Sequence, residues 1–250
     1  MDFYFNIITQ ILIFFLLFIG LKYLETFWYY PTPKPYVWLN AVKNKKVSKN
    51  LKSIESRYYD KIRFYIIWFQ IERLRKENIE GDFAELGVHK GETAKLIYEM
   101  DTSRNLHLFD TFEGFNEIDL QYENNKGGKY TCNEFSDTNL QSVKKYINPG
   151  INVFFYPGYF PDTAAGLKNI KFSFVNLDAD LYKPTLHGLK FFYERLSPGG
   201  VIIIHDYNHT WDGIKRALDE FLPTIPESLI ELPDWQGSAM IVKNKITQVN

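Results

Sequence analysis

Two aspartates one residue apart, Asp178 and Asp180, follow the apolar run Phe172 to Leu177 in FVNLDADLYKPT. A second apolar run, Val201 to Ile204, ends in His205 and Asp206 within VIIIHDYN. If the two runs are neighbouring strands, Asp178 and Asp206 come within a few ångströms of each other. Carboxylates that close repel unless a proton or a cation lies between them. A hard divalent ion with oxygen ligands meets that requirement, and so does an acid–base pair. The plainer alternative is that one acid caps the following helix while the other faces water.

Other residues point to a bound molecule. ELGVHKGETA places Glu85, Gly87 and Gly91 after a third apolar run. Its glycines let the backbone pass close to a ligand, and Gly91 with the helix start behind it offers free N–H groups. The spacing lacks the G-x-G-x-x-G pyrophosphate fingerprint, which disfavours a nucleotide-dependent dehydrogenase. In LFDTFEGF, Asp110 lies near the offset of about 20 residues past the glycine turn at which an acid reaches ribose hydroxyls. Capping a turn is the alternative for Asp110. Together these residues suggest an adenosine-containing ligand without a diphosphate.

The elements that must position these groups follow from hydrophobic periodicity. Strands are expected at Phe83–Leu86, Leu106–Phe109, Asn152–Tyr156, Phe172–Leu177 and Val201–Ile204, with a final pair in SLIELP and SAMIVKN. Helices are expected near 92–100, 137–147, 184–195 and 211–222. The alternation predicts an α/β fold, a doubly wound, mostly parallel seven-stranded sheet with ligands at the carboxyl ends of its strands. Ser53 to Lys76 contains no Gly or Pro and predicts one amphipathic helix that packs on the domain or covers its site. Residues around Asn116–Cys132 and Asn208–Gly213 are expected to be loops that shape a ligand pocket.

The N-terminus differs from the rest. Phe3 to Leu21 carries no charge, has aromatics on both flanks, and reaches the lower part of the roughly 17–25 residues a bilayer requires. No small-residue cleavage site follows, so a retained anchor is expected. Asp2 precedes the run and seven lysines follow it by Lys52, which by the positive-inside rule puts the remainder in the cytoplasm. A buried helix or an arm on a partner subunit is the alternative. The expected organisation is an anchor at 1–30, a connector with its helix at 31–78, and a catalytic domain at 79–250. A net charge of −1 leaves no electrostatic footprint for nucleic acid. The single cysteine, Cys132, excludes an internal disulfide. Many of the aromatics, 17% of the chain, sit near the N-terminus and say little about the core.

Six segments occur in an order that resembles the macrocin/mycinamicin O-methyltransferase family. They are Glu85–Gly91, LFDTFEGF, PGYFPDT, LDADLYKPT, LSPGGVIIIHDY and GIKRALDEF, and the resemblance covers about residues 81–243. The resemblance implies a Rossmann-like class I methyltransferase that uses S-adenosylmethionine and a divalent metal to methylate sugar hydroxyls. It implies that Glu85, Gly87 and Gly91 border the methionine part of the cofactor, Asp110 the ribose, and Tyr159 and Phe160 the adenine, with Thr93 also binding the cofactor. Asp178 and Asp206 would hold magnesium. Position 205 departs from the macrolide enzymes, which have a second Asp there. His205 is thus a candidate third ligand favouring Mn²⁺ or another transition metal, or a general base beside Asp178.

The expected function is a membrane-anchored O-methyltransferase acting on a small-molecule or lipid-linked sugar, its oligomeric state open, with homo-oligomers included. The alternative is a non-catalytic, membrane-tethered cofactor-binding or scaffold protein of the same fold. His89 and His209 fall in loops near the site, while His107 and His187 read as structural. Trp211 and Trp235 read as core packing or as walls of an acceptor pocket.

Overall fold

The structure, a computed structural model, describes residues 2–29, 34–210 and 212–245. Tyr30, the start of the proline-rich connector and Trp211 lie outside the described residues. The chain divides into two compact units, Met1–Lys46 and Val47–Asn250. In the first, α1 (Asp2–Tyr29) is followed by α2 (Tyr36–Lys43), a helix the sequence reading did not foresee. The window Phe5–Lys22 has mean hydropathy 2.0 and none of it is buried. It is long and apolar enough to cross a membrane.

In the second unit the expected single helix is two, α3 (Lys49–Arg57) and α4 (Lys61–Lys76). The break has a local cause. Asp60 caps α4 by accepting from the Arg63 backbone N–H at 3.0 Å, which requires extended backbone just where one long helix would have continued. Tyr58 turns inward, its hydroxyl 3.0 Å from Thr93 Oγ1. Phe64, Ile67, Trp68, Ile71 and Leu74 then form a buried stripe at helical spacing. That stripe packs α4 on α5 (Glu92–Met100) and on the sheet.

Seven strands make one sheet: β1 (Asp82–Leu86), β2 (Leu106–Asp110), β3 (Val153–Pro157), β4 (Phe172–Leu177), β5 (Leu196–Ile204), β6 (Ile230–Glu231) and β7 (Ala239–Val242). Their order is β3-β2-β1-β4-β5-β7-β6. β1 to β5 are parallel, while β7 runs antiparallel to both β5 and β6, so the sheet is mixed. The helices are α7 (Leu140–Ile147), α8 (Tyr182–Arg195) and α9 (Asp212–Phe221), close to expectation. The correction is α6 (Glu117–Asn124), in the stretch expected to be loop. Its exposed Ile118 and polar composition hid it from a periodicity argument.

The core is more aromatic than the N-terminal bias of the sequence suggested. Phe109, Phe160, Phe172 and Phe192 are all at most 4% exposed, and Phe192 touches the other three at centroid distances of 5.8, 5.7 and 5.2 Å. These rings tie α8 to β2, β4 and the segment after β3. Phe192→Ala is therefore expected to lower stability by about 3–5 kcal/mol through transfer and cavity terms, read from the denaturant midpoint at unchanged m-value.

Candidate active site

The carboxyl ends of β1, β2, β4 and β5 are held level by hydrogen bonds that extend just past the strands. Gly87 N–H donates to Phe109 O at 2.9 Å, Asp178 N–H to Leu86 O at 2.8 Å, and His205 N–H to Leu177 O at 2.9 Å. Gly87 has φ +87°, and a Cβ there would lie 1.8 Å from the Asp178 carbonyl oxygen. No other residue fits that approach.

Above these ends lies a cavity of about 660 Å³. Glu85, Gly87, Thr93, Asp110, Tyr159 and Phe160 all line it, as do Asp178 and Asp206. Gly91 does not. Its N–H is bonded to Val88 O at 2.8 Å, and its missing side chain makes room for Val143 and Ile147 of α7. Its glycine requirement is therefore one of packing and of a left-handed backbone at φ +82°, not of close ligand approach.

Asp110 has a structural task in the turn. Its Oδ2 accepts from the N–H groups of Val88 at 2.6 Å and His89 at 2.8 Å, and its Oδ1 from Phe112 N–H at 2.6 Å. The acid at the end of β2 thus shapes the glycine turn at the end of β1, and retains lone pairs for a ligand hydroxyl. Glu85 is 1% exposed; Oε1 accepts from the Asn176 amide at 2.8 Å, and Oε2 is buried without a partner. Burial and the nearby Asp178 push its carboxyl well above the ordinary range.

Asp178, Asp180 and Asp206 each offer an oxygen within 4.8 Å of the others. Burial, and then Asp206, raise Asp178 to about 7. Burial likewise raises Asp206 to about 6, against the pull of Arg63, and holds Asp180 well above the carboxylate range. Arg63, from α4, places its guanidinium 3.9 Å from Asp206 Oδ1 while bonding Asp234 Oδ2 and Gln236 Oε1, each at 3.1 Å. Asp206 Oδ1 is buried without a hydrogen-bond partner. Neither Asp178 nor Asp180 caps α8. Its first N–H, that of Tyr182, donates to Glu123 Oε1 of α6 at 2.7 Å, and Arg216 of α9 binds the other Glu123 oxygen.

His205 requires correction. It is fully buried, lies outside the cavity lining, and is held between Asn176 Oδ1 at 2.6 Å and Ser238 Oγ at 3.1 Å. Burial lowers its pKa far below the usual value, so it is neutral. Pointing into the sheet, it is neither a member of the acid cluster nor a base within reach of the cavity. Asp180 takes the third place instead, turned in by a backbone at φ +57°. The sequence signal for Asp180 was present, two residues from Asp178, but Arg63, Glu123 and α6 left none.

His89 and His209 line the cavity. His107 is buried between Asp82 and Tyr156, each at 2.9 Å, as a structural residue. His187 Nδ1 is buried with no hydrogen bond. Trp235 is 74% exposed and packs edge-on against Tyr59, so it serves neither the core nor the cavity wall.

Residues 60–231 match the family described as macrocin-O-methyltransferase (TylF). The chain is 32% identical over 162 residues to the 8-demethyl-8-(2,3-dimethoxy-alpha-L-rhamnosyl)-tetracenomycin-C 4'-O-methyltransferase of Streptomyces olivaceus, covering 60% of this chain and 61% of that one. It therefore spans about three fifths of that relative's length. It is 30% identical over 182 residues to the mycinamicin III 3''-O-methyltransferase of Micromonospora griseorubida, covering 67% and 70% of the two chains. The O-methyltransferase NovP has the same fold, with a TM-score of 0.63 at 23% identity over 74% of this chain and 81% of that one.

The acid cluster has a stability signature. Carboxyl groups held above their unfolded value of about 3.9 keep protons that the unfolded chain releases, so the metal-free protein loses stability between about pH 4 and pH 7. Asp180→Asn removes one acid, and Asn tolerates the left-handed backbone. The variant is expected to be more stable than the wild type by on the order of 2 kcal/mol at pH 8 without metal. The difference should vanish near pH 4 in parallel thermal melts.

Proposed function

The chain belongs to the macrocin-O-methyltransferase family, and from that premise we propose that it transfers a methyl group from S-adenosylmethionine to a sugar hydroxyl in a glycan, glycolipid or glycosylated metabolite. The observation that carries this reading is the meeting of three carboxylates from the ends of β4 and β5 with the glycine turn of β1 in one cavity. The decay expected of a non-catalytic scaffold is not seen in these residues.

The donor set fits a divalent cation. Three hard oxygen ligands converge, and Asp206 Oδ1 is buried with no hydrogen bond to satisfy it. Asp178, Asp180 and Asp206 would hold the ion. With His205 outside the set, Mg²⁺ or Mn²⁺ suits it without a softer ligand. When bound, such an ion lowers the pKa of a coordinated hydroxyl and orients it.

The chain's own residues do the rest. Glu85 holds the methionine end of the cofactor through the oxygen that has no protein partner. Asp110 keeps the glycine turn in shape and meets the ribose. The acceptor oxygen attacks the methyl carbon, the C–S electron pair stays on sulfur, and S-adenosylhomocysteine leaves. Asp178, on the cavity wall, takes the acceptor's proton. Positioning of methyl and oxygen at near-attack distance supplies much of the acceleration.

We further propose that α1 crosses the membrane with the lysine-rich side in the cytoplasm, which brings the site to lipid-linked or membrane-associated acceptors. The protein is then expected to stay in the membrane pellet after a carbonate wash. Replacing Leu16 and Leu17 with Lys should release it to the supernatant, and release of the wild type would end this part of the proposal.

For the reaction itself, Asp178→Ala is expected to reduce methyl transfer by about 10²- to 10⁴-fold. Its calorimetric affinity for S-adenosylmethionine should stay within about threefold of wild type, since Asp178 faces the acceptor side. Full activity in the variant would overturn the acid-site mechanism. No binding of S-adenosylmethionine by the wild type would overturn the methyltransferase reading.

A further inference from the structure

The strand order gives the bound cofactor a direction. With its methionine end at Glu85 and Gly87 on β1 and its ribose at Asp110 on β2, its purine continues past β2 towards β3, away from the acids of β4 and β5. Gly158, Tyr159 and Phe160, just after β3, line that end of the cavity. Asp119, carried by α6 and only 3% exposed, also lines the cavity and bonds Tyr159 there.

Asp119 is braced from one side. Its Oδ1 accepts from the Tyr159 hydroxyl at 3.0 Å and lies 4.0 Å from Lys183 Nζ. Oδ2 has no hydrogen bond among the described residues, although the residue is buried. A carboxylate oxygen that opens onto a cavity with no protein donor keeps acceptor capacity that a ligand donor can meet. Adenine presents one donor, its exocyclic amine, whereas its ring nitrogens only accept. The placement of α6 is firm, because Glu123, one turn beyond Asp119, binds both the first N–H of α8 and Arg216 of α9.

We infer that Asp119, held by Tyr159, accepts a hydrogen bond from the exocyclic amine of the cofactor's adenine, so that α6 closes the base end of the cofactor site. This assigns a binding role to a helix in a stretch that was expected to be a pocket loop. It rests on the S-adenosylmethionine reading above.

The test compares S-adenosylhomocysteine with its 6-deamino analogue, the purine riboside, which lacks the amine and adds nothing in its place. Both are titrated by calorimetry into the full-length protein in detergent. A hydrogen bond to a charged acceptor predicts that the wild type prefers the amine-bearing ligand by about tenfold to hundredfold. Asp119→Ala should bring the two affinities within about threefold of each other by weakening only the amine-bearing ligand. The isosteric Asp119→Asn, which keeps a neutral acceptor, should give an intermediate ratio and covers the case in which the alanine variant does not fold. A wild-type ratio near one, or a ratio unchanged in either variant, overturns the inference and leaves the methyltransferase reading standing. Absence of any S-adenosylhomocysteine binding by the wild type overturns both.

Discussion

The end of β1 and the end of β4 run so close together at Gly87 and Asp178 that a single methyl group would fall inside the neighbouring carbonyl's van der Waals radius. Everything else at the site depends on that approach. It carries the hydrogen-bonded levels of β2, β1, β4 and β5 past the last strand residue. The glycine turn and the three acids thereby open into the same cavity. Asp110 works in the same direction, spending three hydrogen bonds on the turns beside it.

Bringing acids to strand ends in a buried setting creates an electrostatic problem that the structure answers in two ways. Protonation is one, seen in the raised pKa values of Glu85, Asp178, Asp180 and Asp206. The other is a chain of polar side chains across the sheet. It runs from Glu85 through Asn176, His205, Ser238 and Asp234 to Arg63, with successive contacts of 2.8, 2.6, 3.1, 2.7 and 3.1 Å. Arg63 then faces Asp206. Buried polar groups persist when each finds a partner. His205 belongs to this chain, which explains a histidine beside a cluster of acids without any share in it.

α6 shows how a segment without strong periodicity is held by a few contacts. Glu123 is buried and caps α8, and Arg216 of α9 closes on it. Tyr122 and Tyr182 stack at 5.1 Å beneath the same guanidinium. A helix this short has little stability of its own, so tertiary contacts decide that it forms.

Much of this protein was determined by its sequence alone. The alternation of apolar runs with helical patterns specifies the parallel part of the sheet, and β4 falls at the very residues its composition marks. Acids directly after apolar runs mark the site, because only a ligand or a neighbour justifies charge at the end of a buried strand. The ordered motifs point to the family, and the uncharged N-terminus to a helix of membrane length. Tertiary structure alone decided which neighbours complete the cluster. Side chains alternate along a strand, and the register of Glu85, Asn176 and Ile203 puts residue 205 on the face of the sheet that holds the polar chain. A left-handed turn, outside any periodic rule, brings Asp180 back toward Asp178 and Asp206. Arg63 and Asp119 reach the site from helices far away in sequence, and no spacing along one chain encodes a distance that only packing sets.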